Sequence, residues 1–106
     1  MKPPPFQYHD PKTLAEAVGL LGTLDNAKLL AGGQSLMPML NMRFVLPDHV
    51  IDLNLVEGLS YIKEASGALE IGAMTRQRDL EFSDLVKAKC PLMHEAIAHI
   101  GHRQTR

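Results

Sequence analysis

Apolar and polar positions alternate at Phe6-Gln7-Tyr8, the period of a half-buried strand, and His9-Asp10-Pro11 closes that segment with turn chemistry. Pro3-Pro4-Pro5 ahead of it is a stiff extended entry. The period then changes to that of a helix at Leu14, Ala17, Val18 and Leu21. Thr13-Leu14-Ala15-Glu16 is a capping box, in which Thr13 accepts from the N3 amide and Glu16 reaches back to the Thr13 amide. A helix is predicted from about Thr13 to Leu21, with Gly22 as its stop. Leu24-Asp25-Asn26 reads as a turn and Ala27–Ala31 as a short buried strand. Strand, helix and strand within about 30 residues make a βαβ unit, which favours parallel pairing.

Gly32-Gly33-Gln34-Ser35 interrupts the pattern. From Leu36 to Phe44 a run rich in Leu and Met predicts a short helix. Ser35 is placed as its N-cap, Pro38 falls in the first turn, and Arg43 lies near the C-terminal end, where a cation is favoured. Pro47-Asp48 is a further turn, His49–Leu53 a third strand, and Asn54–Ser60 a loop or single helical turn. Tyr61–Ala65 and Ala68–Gly72 flank Ser66-Gly67 and predict a β-hairpin. Thr75 is positioned to cap a helix from Arg76 to about Phe82, and Ser83–Lys89 continues as helix or turn. Pro91 restarts the helix at a first helical position. Leu92, Met93, Ala96, Ile97 and Ile100 then form one apolar stripe ended by Gly101, and His102–Arg106 is a polar close. The expected fold is α/β with α+β character: a βαβ unit followed by strands, a hairpin and C-terminal helices. No repeat and no linker divides it.

Composition narrows function more than fold. A length of 106 residues allows one domain. With 45% apolar and 22% charged residues, low-complexity disorder is excluded. A chain of this size buries roughly 65% of its unfolded surface, enough for one modest core. The formal charge of −1 offers no basic field for nucleic acid and no polybasic patch for anionic lipid. No Trp and 5% aromatic residues argue against a base-stacking platform. No apolar run approaches the ~20 residues of a membrane span. The start, MKPPPFQYHDPK, lacks the apolar region of a secretory signal. The single cysteine, Cys90, leaves no internal disulfide and fits a reducing compartment, so a cytoplasmic location is expected.

The informative segment is Lys28-Leu29-Leu30-Ala31-Gly32-Gly33-Gln34-Ser35-Leu36. A strand runs into two glycines, and a hydroxyl residue then opens a helix. Glycines accept positive φ, and successive backbone N–H groups in such a turn form an anion-binding nest. The helix start adds unpaired N–H groups, and Ser35 adds a hydroxyl donor. This is the chemistry of a phosphate or pyrophosphate cradle. As a generic pattern it is weak, because Gly-Gly between a strand and a helix is most often only a tight turn. It is not a P-loop, since no Gly-Lys-Ser/Thr follows, and it lacks the third glycine of the nicotinamide fingerprint.

The longer phrase KLLAGGQSLMPMLNMR resembles the first flavin-binding segment of the FAD-binding (medium) subunit of molybdenum hydroxylases. That PCMH-type family includes the flavoprotein subunits of aerobic carbon monoxide dehydrogenases and of xanthine-dehydrogenase-like enzymes. The resemblance continues, in the family's order, through FQYHDPKTLAEAVGLL, VIDLNLVEGLSYI, LEIGAMTRQRDLE and IGHRQTR. It implies that Ala31, Gly32, Gly33, Gln34 and Ser35 cradle the FAD diphosphate through backbone amides. It also implies that Lys28, Leu29, Leu30 and Leu36 flank the cradle in the same cofactor-binding segment. The implied role is that of an oxidoreductase subunit that relays electrons. A molybdenum cofactor in a large partner subunit oxidises substrate, [2Fe-2S] clusters in a small partner subunit pass electrons to FAD, and FAD reduces an acceptor. No catalytic side chain and no metal ligand is expected in this chain.

The family's flavoprotein subunits carry a second glycine-rich FAD segment soon after the point where this sequence stops, and a separate C-terminal domain after that. Residues 1–106 are therefore expected to be the N-terminal lobe of a PCMH-type FAD-binding domain, without that second segment or the C-terminal domain, and inactive alone. The alternative is a truncated, non-catalytic remnant that binds no flavin and at most contacts partner subunits.

Other residues read as ordinary structure. His94-Glu95 begins like a zincin motif, but His99 follows at i+5, ~140° around a helix, and the side chains diverge. His94, His99 and His102 are expected to be exposed or capping. Cys90 is expected to be a small buried side chain, and Met37, Met39 and Met42 adaptable core filling. Arg76, Arg78, Asp79, Glu81 and Asp84 are expected on a solvated surface.

Overall fold

In a computed structural model that describes residues 1–106, three short strands form a wholly parallel sheet. They are β1 (Gln7–His9), β2 (Ala27–Leu30) and β3 (His49–Asp52), in the order β1-β3-β2. The expected βαβ unit is present, but its two strands do not pair. β3 lies between them, with Gln7 and Ala27 both opposite His49. A central parallel strand is covered on both faces and needs consecutive apolar residues. Val50 and Ile51 supply them and are 1% and 0% exposed. β2, expected to be buried, is an edge instead, and Lys28 and Leu29 are exposed.

The helix α1 (Leu14–Thr23) crosses from β1 to β2. The Thr13 hydroxyl accepts from the Glu16 N–H at 3.2 Å. The Glu16 carboxylate accepts from the Lys12 N–H at 3.1 Å, one residue before the expected amide. Gly22 does not stop the helix. The Thr23 hydroxyl satisfies the Gly19 carbonyl at 2.9 Å and the Leu24 N–H satisfies that of Leu20, so the last turn is kept. Of the predicted stripe only Ala17 is buried. The next helix, α2 (Leu36–Asn41), is shorter than expected. It ends because Arg43 takes φ 57°, a left-handed value that no helix continues through.

Residues 1–57 form one compact unit and residues 58–106 a second, so the chain divides inside the predicted loop although no linker marks the place. The second unit opens on an antiparallel hairpin, β4 (Ile62–Ala65) and β5 (Ala68–Ile71). Ser66 and Gly67 have φ of 52° and 76°, the paired positive values of a type I′ turn. Three short helices follow: α3 (Gln77–Glu81), α4 (Asp84–Lys89) and α5 (Pro91–Ile97). Leu80, Val86 and Ile97 form the core, with Ile62, Leu69, Ile71 and Met93 packed against it.

Several local expectations fail in this unit for identifiable reasons. Thr75 caps no helix, because its hydroxyl is taken by both backbone groups of Tyr61, donating at 3.0 Å and accepting at 3.1 Å. Arg76 stands at the N-cap of α3, and α4 is capped by Ser83, whose hydroxyl accepts from the Val86 N–H at 3.2 Å. α5 ends at Ile97, so the stripe narrows to Met93 and Ile97, while Leu92 (77%) and Ile100 (42%) stay exposed. The polar close is an anchor. The Arg106 side chain is 7% exposed and grips Glu81 in a fork, Nε to Oε2 at 3.0 Å and Nη2 to Oε1 at 3.3 Å. Glu81, expected at the surface, is thus an ion-pair partner. No helix is long and apolar enough to cross a membrane.

Candidate functional site

β2 ends at Leu30, and the next five residues form the turn that leads into α2. Ala31, Gly32, Gln34 and Ser35 are exposed, whereas Leu30, Gly33 and Leu36 are half-buried. Lys28, an exposed cation on β2, forms no ion pair, and Leu29 alternates with it onto the opposite face of the strand.

The turn's carbonyls and amides are treated differently. The Leu30 carbonyl accepts from the Leu53 N–H at 2.9 Å, and the Ala31 carbonyl accepts from Asn54 Nδ2 at 2.9 Å. The Gly33 and Ser35 carbonyls accept from the N–H groups of Met37 and Met39. By contrast, the N–H groups of Gly32, Gly33, Gln34, Ser35 and Leu36 donate to no acceptor of the protein. A peptide unit is planar and trans, so its carbonyl and the following N–H point in opposite directions. Carbonyls turned inward at residues 31, 33 and 35 therefore turn the amides of 32, 34 and 36 outward. Ser35 occupies the N-cap position of α2, but its hydroxyl makes no cap bond and remains available as a donor.

Gly33 is required by this geometry. Its φ is +77°, and a Cβ there would lie 3.1 Å from Met37 Cγ and 3.3 Å from Leu30 Cδ1. A side chain would strain the backbone and press on both neighbours. The donor set is the outward amides of Gly32, Gln34 and Leu36 plus one hydroxyl, on a turn that carries no carboxylate of its own. It fits the diphosphate of a dinucleotide, which needs many donors and close backbone approach.

The sequence reading missed the support beneath this turn. Asn54 does more than lie in a loop. Its N–H and Nδ2 both donate to Asp52 Oδ1, at 2.9 and 2.6 Å, while Nδ2 also holds Ala31. The Tyr8 hydroxyl donates to Asp52 Oδ2 at 2.6 Å. That bond, followed by burial and the negative charges of Asp52 and Asp10, pushes the Tyr8 phenol up from 10.0 to about 12. The available signal was Asp52-Leu53-Asn54 itself, since an Asp side chain readily accepts from the backbone two residues on.

The remaining candidates do not assemble into a site. His94 is half-buried and His99 and His102 are exposed, and no three His, Cys, Asp or Glu side chains group to hold a metal ion. His9 and His49, on neighbouring strands, approach to 3.1 Å between Nε2 and Nδ1. Cys90 is a half-buried free thiol at the start of α5. Arg76 and Arg78 are exposed, and Arg78 lies over the Phe82 ring at 5.6 Å. Met39 and Met42 are not core filling. They are 38% and 51% exposed, because α2 buries Leu40 and turns them outward.

A family model described as the FAD binding domain in molybdopterin dehydrogenase matches residues 4–106. The carbon monoxide dehydrogenase medium chain of Hydrogenophaga pseudoflava is 50% identical over 107 residues, covering 100% of this chain and 37% of the relative. The glyceraldehyde dehydrogenase medium chain of Sulfolobus acidocaldarius is 45% identical over 106 residues, covering 100% and 38%. Among solved structures, carbon monoxide dehydrogenase from Hydrogenophaga pseudoflava superposes with a TM-score of 0.97 at 50% identity, over 100% of this chain and 37% of that one. Quinoline 2-oxidoreductase from Pseudomonas putida 86 superposes with a TM-score of 0.95 at 34% identity, over 99% of this chain and 37% of that one. The mixed α/β fold is therefore the one those solved chains share, and this chain spans 37–38% of the length of the two curated relatives.

Proposed function

The chain belongs to the family of FAD-binding domains of molybdopterin dehydrogenases, and from that membership we propose that residues 1–106 are the N-terminal lobe of such a domain. In this reading the turn from Ala31 to Ser35 cradles the FAD diphosphate. The observation that carries it is that the backbone amides from Gly32 to Leu36 have no acceptor in the protein, those of Gly32, Gln34 and Leu36 being turned outward. Gly32, Gly33, Gln34 and Leu36 contribute N–H donors, Ser35 an N–H and a hydroxyl, and Ala31 the peptide that directs the first amide. Leu29 and Leu30 carry the turn at the end of the sheet, and the unpaired Lys28 adds positive charge on the same strand. Bound FAD supplies the redox chemistry, accepting electrons from an iron–sulfur subunit and passing them to an acceptor, while the protein's share is binding and orientation.

Partners follow from the same reading: a large molybdenum-cofactor subunit and a small iron–sulfur subunit. The relatives' names as medium chains, and as a subunit of a 6-hydroxypseudooxynicotine dehydrogenase complex, support it. Those relatives are named for substrates as different as carbon monoxide, glyceraldehyde and caffeine although each matches this whole chain. Substrate choice therefore lies outside residues 1–106, and the family reading assigns it to the large partner subunit. A reducing, cytoplasmic setting suits the lone free Cys90.

The test is a titration of the chain with FAD, followed by flavin fluorescence and by amide NMR shifts. Saturable binding with shifts centred on residues 32–36 is expected, and replacing both Gly32 and Gly33 by Val should abolish it. Unchanged binding by the double variant overturns the cradle. Failure of the unmodified chain to bind FAD at about 100 μM, a level that detects affinities near −5 to −6 kcal/mol, shows that these 106 residues alone are not a competent FAD module.

A further inference from the structure

We propose that Asn54 is a positioning residue that fixes the direction of the first amide of the cradle, and that Tyr8 and Asp52 hold it in register. The proposal rests on the reading of the Ala31–Ser35 turn as a diphosphate cradle and extends it to residues outside the turn.

The peptide between Ala31 and Gly32 opens the turn. A glycine on its far side removes the steric barriers that normally fix a peptide plane, so this unit can rotate unless something holds it. Asn54 Nδ2 holds it, donating to the Ala31 carbonyl at 2.9 Å. Because the peptide is planar and trans, pinning that carbonyl also directs the Gly32 N–H away from Asn54. The preceding carbonyl, that of Leu30, is pinned by the Leu53 N–H at 2.9 Å. Two consecutive residues leaving β3 thus orient two consecutive peptides leaving β2.

Asn54 is itself over-determined. Its backbone N–H and its Nδ2 both donate to Asp52 Oδ1, which closes the side chain onto its own strand end. Asp52 Oδ2 accepts from the Tyr8 hydroxyl on β1. The line Tyr8, Asp52, Asn54, Ala31 therefore runs across the C-terminal edge of the sheet through all three strands. The Asp52 carboxylate accepts from Tyr8 through one oxygen and from Asn54 through the other, and the side-chain amide of Asn54 meets the Ala31 carbonyl.

The experiment compares the unmodified chain with Asn54→Ala, using ¹⁵N relaxation and titration with inorganic pyrophosphate. The Gly32 amide is expected to fall from an order parameter of about 0.85 to below ~0.6, while the amides of β1 and β3 keep theirs. Pyrophosphate affinity is expected to drop about tenfold, the scale of one hydrogen bond's worth of preorganisation. An unchanged order parameter at Gly32 overturns the proposal, even where pyrophosphate binds. Loss of order at Gly32 in a chain whose 32–36 amides ignore pyrophosphate upholds the positioning role and rejects the cradle. Should Asn54→Ala not fold, the unmodified chain decides. A scalar coupling across the hydrogen bond from Asn54 Nδ2 to the Ala31 carbonyl is expected, and its absence overturns the proposal.

Discussion

The two units dispose of their exposed peptide ends in opposite ways. In the second, the chain just past α5 presents the carbonyls of Ala98, Ile100 and Gly101, and one guanidinium group, that of Arg106, donates to all three at 3.1 to 3.4 Å while gripping Glu81. In the first, no group of the chain meets the amides of residues 32–36, and those of 32, 34 and 36 point outward. Even the serines at two helix starts differ: Ser83 closes on Val86, whereas Ser35 closes on nothing. A chain able to satisfy such groups in one place has left them open in another, and the open place is where the backbone takes a positive φ at Gly33. Exposed donors that the chain leaves unpaired are free to meet an anionic ligand.

The harshest challenge to the self-contained character of the second unit is Gly72→Ala. A Cβ there would overlap the Leu59 carbonyl oxygen and come within 2.9 Å of Tyr61 Cδ1, and a backbone oxygen cannot swing aside. Destabilisation of about 3 kcal/mol or more is expected, read as a fall in urea midpoint at constant slope. A change below about 1 kcal/mol would show that the loop around Leu59 yields.

Next in size is Arg106→Met, which keeps much of the stem and removes the fork. With the side chain 7% exposed and Glu81 at 22%, the loss strands a largely buried carboxylate and uncovers three carbonyls. A cost of about 2 kcal/mol in urea unfolding is expected, and it should vanish when Glu81→Gln is combined with it to the extent that the stranded charge is the cause.

The paired serines sharpen the contrast directly. Ser83→Ala should cost about 1 kcal/mol, since it removes a formed cap. Ser35→Ala should change stability by less than ~0.5 kcal/mol while weakening diphosphate binding. Equal costs for the two would erase the distinction between a closed and an open helix start.

The smallest effect is electrostatic. The Tyr8 phenol is pushed up from 10.0 to about 12 because Asp52 accepts from its hydroxyl and disfavours the phenolate. A group whose folded value is raised contributes stability that is complete below pH 10 and is lost as pH climbs through 12. Absorbance titration at alkaline pH should show that late phenol, and Asp52→Asn should bring it back toward 10.0.

Local chemistry was legible in the sequence, and long-range chemistry was not. The Ser66-Gly67 hairpin, the Thr13 cap and the Pro91 helix start each depend on residues within a few positions, and each stands where the pattern put it. The insertion of β3 between β1 and β2 depends on pairings such as Gln7 with His49, which no local period encodes. Thr75 and Arg106 were misread for the same reason, since their partners are Tyr61 and Glu81. At the candidate site the turn announced itself through its glycines, whereas Asn54 was hidden because its partner Ala31 lies on another strand.

The central place of β3 also sets the order in which the sheet can be built. β1 and β2 leave the ribosome first, yet neither pairs with the other, so both wait as open edges until Asp52 has emerged. At ~5–20 residues per second that wait lasts roughly one to several seconds after Leu30 is made. Once β4 and β5 are made, by contrast, they can close on each other in about 1–10 μs. The chain's earliest product is thus a pair of unattended strands. A chaperone or a slow stretch of codons that acted between residues 30 and 52 would govern how much of the protein reaches its native sheet.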